Sequence, residues 1–239
     1  MDATYIVTVS DPHCGHRHGL MNPDTSLEQV DADGIPFEYH PPLTKIQEYL
    51  WDCFTRDVEE VRKIANGNRI VVLPTGDLTT GDKHKDELVS DRPADQIIIA
   101  KATMQYMMGL PGMAAMRIVK GTGAHNFGFG TSEILIAEFL KEEYASVSTM
   151  VADHYLLHIN GMTVDAAHHG PTGGSRNWLK GNEARYYLRS LMMDEFMAGR
   201  IPPRLILRGH YHEYIREELT IKHEGKWYTS TIIISPSYT

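Results

Sequence analysis

Short apolar runs and longer amphipathic segments alternate along the first half of the chain. Residues 5–9 and 70–74 are rich in β-branched side chains, and both runs stop at a loop, as buried strands do. Apolar positions between 43 and 64 recur at helical spacing, and Asn66-Gly67 is expected to end that helix. Three more elements are predicted: a helix at about 93–108, a strand at 116–119, and a helix capped by Thr131 or Ser132 and running to about 140.

The pattern changes in the second half, where hairpins dominate. Residues 154–159 and 162–166 flank Asn160-Gly161, a pair that suits a type I′ turn. The remaining predictions are a helix between 178 and 196, a strand at 205–207, and a last hairpin that turns at Glu224-Gly225. The two halves together predict an α/β fold in which two mixed β-sheets pack against each other and are flanked by helices.

The organisation predicted is a single domain over residues 1–239 with one long insertion. Residues 14–42 contain Gly, Pro, Asp and His without sustained periodicity, and are therefore expected to form a surface loop. No apolar run approaches the roughly 20 residues of a membrane span, and no signal peptide is evident. Cys14 and Cys53 do not make a disulfide framework, so the expected location is the cytoplasm.

Charge and histidine content direct attention to metal chemistry. The net charge of −8 gives little non-specific attraction to nucleic acid, and it is compatible with carboxylates gathered around cations. The chain has 13 histidines, and histidine is the commonest neutral metal ligand. The positions of these histidines are therefore better evidence for metal binding than their number.

Aspartate and histidine residues follow the predicted strands, directly after tight turns. They are Asp11 and His13, Asp77, His125, His168 and His169, and His210 and His212. Alternate residues of an extended segment point the same way, so each His-x-His or Asp-x-His pair can aim two donors at one place. Mixed carboxylate and imidazole donors suit Zn, Mn or Fe. Their number suits two ions, which at about 3.5–4 Å apart can clamp both oxygens of a phosphoryl displacement.

The order of these motifs resembles that of calcineurin-like metallophosphoesterases over residues 5–235. The matching segments are Asp11-Pro12-His13, Gly76-Asp77, Gly121-Thr122-Gly123-Ala124-His125, His168-His169-Gly170 and Gly209-His210-Tyr211-His212. The resemblance implies a four-layer α/β/β/α sandwich that hydrolyses a phosphate monoester or diester with a metal-bridging hydroxide. The Gly-Thr-x-x-His and His-His-Gly variants are similar to the phage-encoded branch of the family.

The resemblance also implies roles for individual residues. Asp11, His13 and His212 would hold the first divalent ion, and Asp77 would bridge both ions. His210 and one of His168 or His169 would hold the second ion, with His168 favoured because it comes first after the strand. His125 would stand beside the phosphate as a proton donor or charge stabiliser.

Two departures from the family pattern bear on the second ion and on the substrate. The third motif lacks the usual Asn ligand, and Thr122 is the candidate for a weak oxygen ligand in its place. Thr80 stands where a Gly-Asp-x-x-Asp motif would have its second Asp. His16, Arg17 and His84 are the candidates for contact with the substrate phosphate.

Other functions remain open on the sequence. A nuclease acting on DNA or RNA is permitted by the resemblance, although no Lys/Arg-rich stripe with aromatic residues is evident. A catalytically degenerate metal-binding scaffold is a further alternative, because the usual Asn is missing. The expected partner is a phosphorylated substrate, nucleotides and nucleic acids included, and no membrane.

Overall fold

The structure is a computed structural model that describes residues 3–83, 85–127, 130–172, 174 and 176–239. Its strands are β1 (Thr4–Val9), β2 (Leu27–Val30), β3 (Pro36–Tyr39), β4 (Arg69–Pro74), β5 (Met113–Val119), β6 (Ser148–Ala152), β7 (His154–Ile159), β8 (Met162–Ala167), β9 (Leu205–Arg208), β10 (Ile215–His223) and β11 (Lys226–Ile234). Its α-helices are α1 (Lys45–Ala65), α2 (Pro93–Met108), α3 (Thr131–Glu143) and α4 (Asn182–Met197). This is a mixed α/β fold with several sheets, as the sequence predicts.

The first sheet is built from the strands of the first half, in the order β1-β4-β5-β6. All its neighbouring strands are parallel, so the prediction that both large sheets are mixed was wrong for this one. The reason is the connectivity. A helix lies between each strand and the next, and a crossover through a helix returns the chain in the same direction.

The second sheet is mixed, with the order β10-β11-β9-β8-β7. Its centre is parallel, because β9 runs alongside β8 and β11 in the same direction, while the two outer pairs are antiparallel hairpins. The turn between β7 and β8 has positive φ at both Asn160 and Gly161, which is the requirement of a type I′ turn. The hairpin predicted from this pair is confirmed.

Three hydrophobic clusters join these elements into layers. One cluster packs α1, α2 and α3 on the parallel sheet, through buried residues such as Phe54, Ile99 and Met116. Another packs α4 on the mixed sheet through Leu188 and Ile232. The third lies between the two sheets and draws on both. It includes Leu73 and Val119 from the first sheet and Tyr155, Val164 and Leu207 from the second.

The insertion at 14–42 is more ordered than the sequence predicts. It contains the antiparallel pair β2 and β3, and Leu20, Met21 and Leu27 are fully buried against the first cluster. The expectation of a surface loop was therefore wrong for these apolar positions. Helix α3 begins differently as well, since its N-cap is Gly130 and not Thr131 or Ser132.

The cysteines and the hydropathy of the helices can be compared with the expectations from the sequence. Cys14 and Cys53 are both free thiols, and burial raises the pKa of the Cys14 thiol to about 12. In the part of the chain that the structure describes, no helix has the length and apolar character to cross a membrane.

Candidate metal centre

The predicted site residues sit on loops that leave the ends of five strands. The loop after β1 carries Asp11 and His13, and the loop after β4 carries Asp77. Because β1, β4 and β5 are parallel, their carboxyl ends meet at one edge of the sheet. The parallel strands β8 and β9 end in the loops that carry the histidines of the second half.

Backbone strain is concentrated at these loop residues. Eight non-glycine residues in the described part of the chain have positive φ, and five of them are candidate ligands: Asp11, His13, Asp77, His210 and His212. Such conformations are uncommon for residues with a Cβ and persist where the surroundings impose them, often at functional sites. The strained backbone turns these side chains toward one another instead of along the strand direction.

Glycines let the strained loops approach closely. A Cβ on Gly121 would lie 2.1 Å from Asp77 Oδ1 and 2.2 Å from the Asp77 backbone nitrogen. A Cβ on Gly76, where φ is +101°, would lie 2.4 Å from His168 Nδ1. Both contacts are too short for any side chain, so these positions require glycine for the site to form.

Asp11, His13 and His212 make the first group of converging donors. His212 Nε2 lies 3.4 Å from Asp11 Oδ1 and 3.2 Å from His13 Nε2. The other carboxylate oxygen of Asp11 accepts hydrogen bonds from the Ser10 hydroxyl and, at 3.0 Å, from the His210 backbone N–H. Asp11 is thus held on one oxygen and presents the other to the histidines.

Asp77, His168 and His210 make the second group. His168 Nδ1 lies 2.6 Å from the Thr75 carbonyl, which can only accept, so Nδ1 carries the proton. His168 Nε2 lies 3.1 Å from Asp77 Oδ2 without the geometry of a hydrogen bond. This is the arrangement of metal-ligating histidines, whose second nitrogen donates to a carbonyl or carboxylate while the first is free to bind.

A third group, His13, Asp77 and His125, overlaps both of the others. Asp77 of the second group is therefore also within reach of His13, which belongs to the first group. The rings of His13 and His125 meet edge to face with centroids 4.4 Å apart. His125 Nδ1 donates to the Thr80 carbonyl at 2.8 Å, which leaves Nε2 as its free nitrogen.

The charge states of these buried groups depend on one another. Burial alone would raise the pKa of Asp77, but His168, His125 and the Thr122 backbone N–H together lower it to about 2. Burial and the neighbouring His125 lower the pKa of His13 to about 4. Burial works against a charge on His168, yet the carboxylates of Asp77 and Asp11 raise its pKa overall. The site therefore favours ionised carboxylates beside a neutral His13.

The donors fit divalent transition metal ions. Asp11 Oδ1 and His168 Nε2 are buried and make no hydrogen bond to any described residue, which is a costly state for polar atoms in a protein interior. Both atoms belong to the converging groups. A bound cation would satisfy them, and the mixture of imidazole nitrogen and carboxylate oxygen suits Zn, Mn or Fe.

The structure separates His168 from its neighbour His169. His168 is 2% exposed and joins the second group, whereas His169 is exposed and joins none of the three. The rings of His169 and His210 are still 4.6 Å apart. Thr122 contacts Asp77 through both its backbone N–H, at 2.6 Å, and its hydroxyl, at 3.1 Å.

The candidate substrate contacts are divided between two places. His16 lines a cavity of about 170 Å³ together with His13, Thr80, His125 and Thr239. Arg17 does not reach that cavity; its guanidinium donates to the Leu88 carbonyl and it lines a different groove. His84 lies outside the described residues.

Several residues that support the site were not found from the sequence. Gln96 of α2 is fully buried and bonds the backbone of the Thr80–Gly81 turn, through its oxygen to both N–H groups and through its nitrogen to the Gly81 carbonyl. Glu133 of α3 is also fully buried and accepts from the Gly121 N–H at 3.4 Å. Both lie on helices outside the motifs, and no spacing signal distinguishes them from ordinary helical residues.

Known proteins show limited similarity to this chain. No protein-family model matches the chain, and no curated protein matches it. Among solved structures, a novel archaeal phosphodiesterase is similar with a TM-score of 0.40 and 11% identity, covering 97% of this chain and 83% of that chain. A protein of unknown function from Aquifex aeolicus is similar with a TM-score of 0.38 and 13% identity, covering 88% of this chain and 81% of that chain. At these values neither likeness assigns an activity to this chain.

Proposed function

We propose that this protein is a metal-dependent phosphoesterase with a two-ion centre, organised as one metallophosphoesterase domain. The observation that carries the proposal is that Asp77 belongs to two three-donor groups, one with His168 and His210 and one that shares His13 with the group of Asp11 and His212. Asp11, His13 and His212 would hold one ion, His168 and His210 would hold the other, and Asp77 would bridge them. The layered arrangement of helices around two sheets agrees with the α/β/β/α sandwich of the calcineurin-like family.

Bound divalent ions would supply a nucleophile from water at neutral pH and neutralise charge on the phosphoryl oxygens. The residues of the chain set the charge states that this chemistry requires. The low pKa of Asp77 keeps its carboxylate ionised, and the low pKa of His13 keeps its imidazole neutral, which is the form that binds metal. The Thr75 carbonyl accepts from His168 Nδ1, so Nε2 is the nitrogen that can bind an ion.

His125 is proposed as the group that moves a proton to the leaving oxygen. Its Nδ1–H donates to the Thr80 carbonyl, so its Nε2 is the nitrogen that can carry and release a proton. It shares the cavity with His13 and His16, which gives a phosphate ester one place to contact all three. The imidazole of His16, paired with Glu87 at 3.0 Å, is proposed to contact the substrate phosphate in this cavity.

The proposal is tested by metal content and turnover measured on the same preparations. Protein loaded with Mn or Zn is expected to hydrolyse an aryl phosphate monoester, an aryl diester, or both. Asp77→Asn is expected to lose most of its bound metal and at least about a hundredfold in turnover, because the bridging charge is removed. Asp153→Asn is the matched control, since Asp153 is exposed and forms a surface ion pair with Lys120.

Two further variants separate the candidate ligands of the second ion. His168→Ala is expected to reduce the metal content by about one equivalent, whereas His169→Ala is expected to retain it. Full metal content with no turnover of either ester would instead favour the degenerate-scaffold alternative. Unchanged metal content in both Asp77→Asn and His168→Ala would contradict the proposed centre.

A further inference from the structure

A second concave surface lies on the outer side of the mixed sheet, where α4 packs beside β10. This α4–β10 groove has a volume of about 610 Å³, larger than the cavity at the metal centre. Its lining comes from one face of α4, with Arg185, Tyr186 and Arg189, and from the far part of β10, with Leu219, Ile221 and Lys222. Strand β10 is the last strand of its sheet, so the groove follows an open edge.

The charge of the groove is opposite to that of the chain. Arg185 and Arg189 line it, and its lining contains no carboxylate, although the protein has a net charge of −8. Neither of the two cations forms an ion pair with any residue in the described ranges. Nearby cations are paired, as in Lys180 with Glu213 and Arg200 with Glu195.

An exposed aromatic ring accompanies these free cations. Tyr186 lines the groove and is 67% exposed. Trp227 and the Lys222 ammonium, 5.7 Å from the centre of its ring, lie on the other face of the β10–β11 pair, outside the groove. Large exposed aromatics beside unpaired cations are the combination that binds the backbone and bases of single-stranded nucleic acid. The sequence does not show this groove, because it forms only through the packing of α4 on β10.

We propose that the α4–β10 groove binds single-stranded nucleic acid. Arg185 and Arg189 are one helical turn apart and present guanidinium forks, which match phosphate oxygens in pairs. Tyr186, on the same helix face, offers a ring on which a base can stack. An acidic peptide would satisfy the cations but would leave the exposed ring without a planar partner, so nucleic acid is the better match.

The binding does not depend on the metal centre or on the proposed hydrolysis. It is therefore measured with the full chain in chelator, by the fluorescence anisotropy of a labelled oligothymidylate at several salt concentrations. Two phosphate contacts predict that log K falls against log salt with a slope of about −1.4. Failure of this binding would leave the phosphoesterase proposal intact, and failure of hydrolysis would leave the binding intact.

Charge variants test the assignment of the groove. Arg185→Gln and Arg189→Gln are each expected to weaken binding and to reduce the magnitude of the salt slope by about 0.7. Arg56→Gln and Lys63→Gln on α1 are matched controls, because both side chains are exposed and have no ion pair among the described residues. The controls are expected to bind as the unchanged protein does.

A stacking variant separates nucleic acid from other polyanions. Tyr186→Leu keeps the charge of the groove and is expected to weaken oligothymidylate binding by at least about fivefold. The proposal is overturned if the oligonucleotide does not bind, or if the groove variants bind as the α1 controls do. It is also overturned if polyglutamate competes as strongly as the oligonucleotide and Tyr186→Leu has no effect, a result that would assign the groove to acidic peptides. Thermal melting of every variant confirms that the fold is retained.

Discussion

Burial controls the charge of His13. The ring is 6% exposed and lies beside His125, and these two conditions lower its pKa from 6.5 to about 4. At neutral pH the imidazole is therefore uncharged in the folded protein and in the unfolded chain alike. As the pH falls below 6.5, the unfolded chain binds a proton at this residue that the folded protein does not bind, and folding stability must decrease.

This difference predicts a pH-dependent loss of stability in metal-free protein. Between pH 7.5 and pH 4.5, His13 is expected to lower the free energy of unfolding by about 2.5 kcal/mol. Urea unfolding at both pH values, in chelator, measures the change. His13→Gln is expected to lose less stability over the same interval, and His18→Gln, which alters an exposed histidine, is expected to lose as much as the unchanged protein. Equal losses in all three proteins would contradict the role of His13.

The sequence predicts which residues form the groups more readily than how each one is held. Asp11, Asp77 and the histidines of the later motifs were identified because Asp and His after apolar strands are a local pattern. Gln96, which bonds the Thr80–Gly81 turn, was not identified, because its importance comes from a contact with a loop 15 residues away in sequence. The charge of Arg17 predicts a phosphate contact, and its hydrogen bond to the Leu88 carbonyl does not follow from charge alone.

Among the elements, the loop after β5 depends most on a close approach. Gly121 lies against Asp77, and Thr122 donates two hydrogen bonds to the same carboxylate. The loop therefore closes over the residue proposed to bridge the ions. Two residues later Gly123 has open space around it, and a Cβ added there would meet no atom within 4 Å.

Alanine at these two glycines is expected to have different effects. Gly121→Ala would place a methyl group on Asp77, and it is expected to lower the free energy of unfolding by about 1–3 kcal/mol and to reduce metal content. Gly123→Ala adds the same atom without a contact and is expected to leave metal content unchanged. Chemical denaturation measures the free energy of unfolding of both variants, and elemental analysis measures their metal content. Equal behaviour of the two variants would mean that the loop is not packed as described.

Elements with a local signal were predicted well, and elements defined by their partners were not. The helix after Thr44 has a capping box with Gln47, an αL residue at Asn66, and a regular apolar face. Strand β6 has only five residues, Ser148–Ala152, and its pairing with β5 is what makes it a strand. The same applies to β2 and β3, because their alternation is too short to separate a hairpin from a loop.

For the whole molecule, the candidate centre belongs to neither sheet alone. Asp11 and His13 follow the parallel sheet, while His212 follows the mixed sheet, so the first group needs both. The second group joins Asp77 from one sheet to His168 and His210 from the other. Ions bound by these groups would connect the sheets across the edge of their shared core.

Metal removal is therefore expected to lower the thermal stability of the whole fold. Metal present at about 100 times its Kd stabilises a protein by about 2.7 kcal/mol, which for a chain of this size corresponds to a Tm shift of roughly 5–10 °C. Calorimetry with and without chelator measures the shift. His212→Ala is expected to reduce it, whereas His158→Ala, an exposed histidine that contacts Thr163, is expected to preserve it. A Tm that is independent of metal in the unchanged protein would contradict this prediction.

The Nδ1–H of His125 donates to a main-chain atom, the carbonyl oxygen of Thr80. A side-chain acceptor can be deleted by a single codon change, but a carbonyl is present whichever amino acid is encoded there. The path of the backbone, and not the side chain of residue 80, therefore fixes the tautomer of His125. In a mutational scan, changes at Gln96, which bonds the backbone N–H groups of this turn, would be expected to disturb His125 more than the loss of any acceptor side chain could.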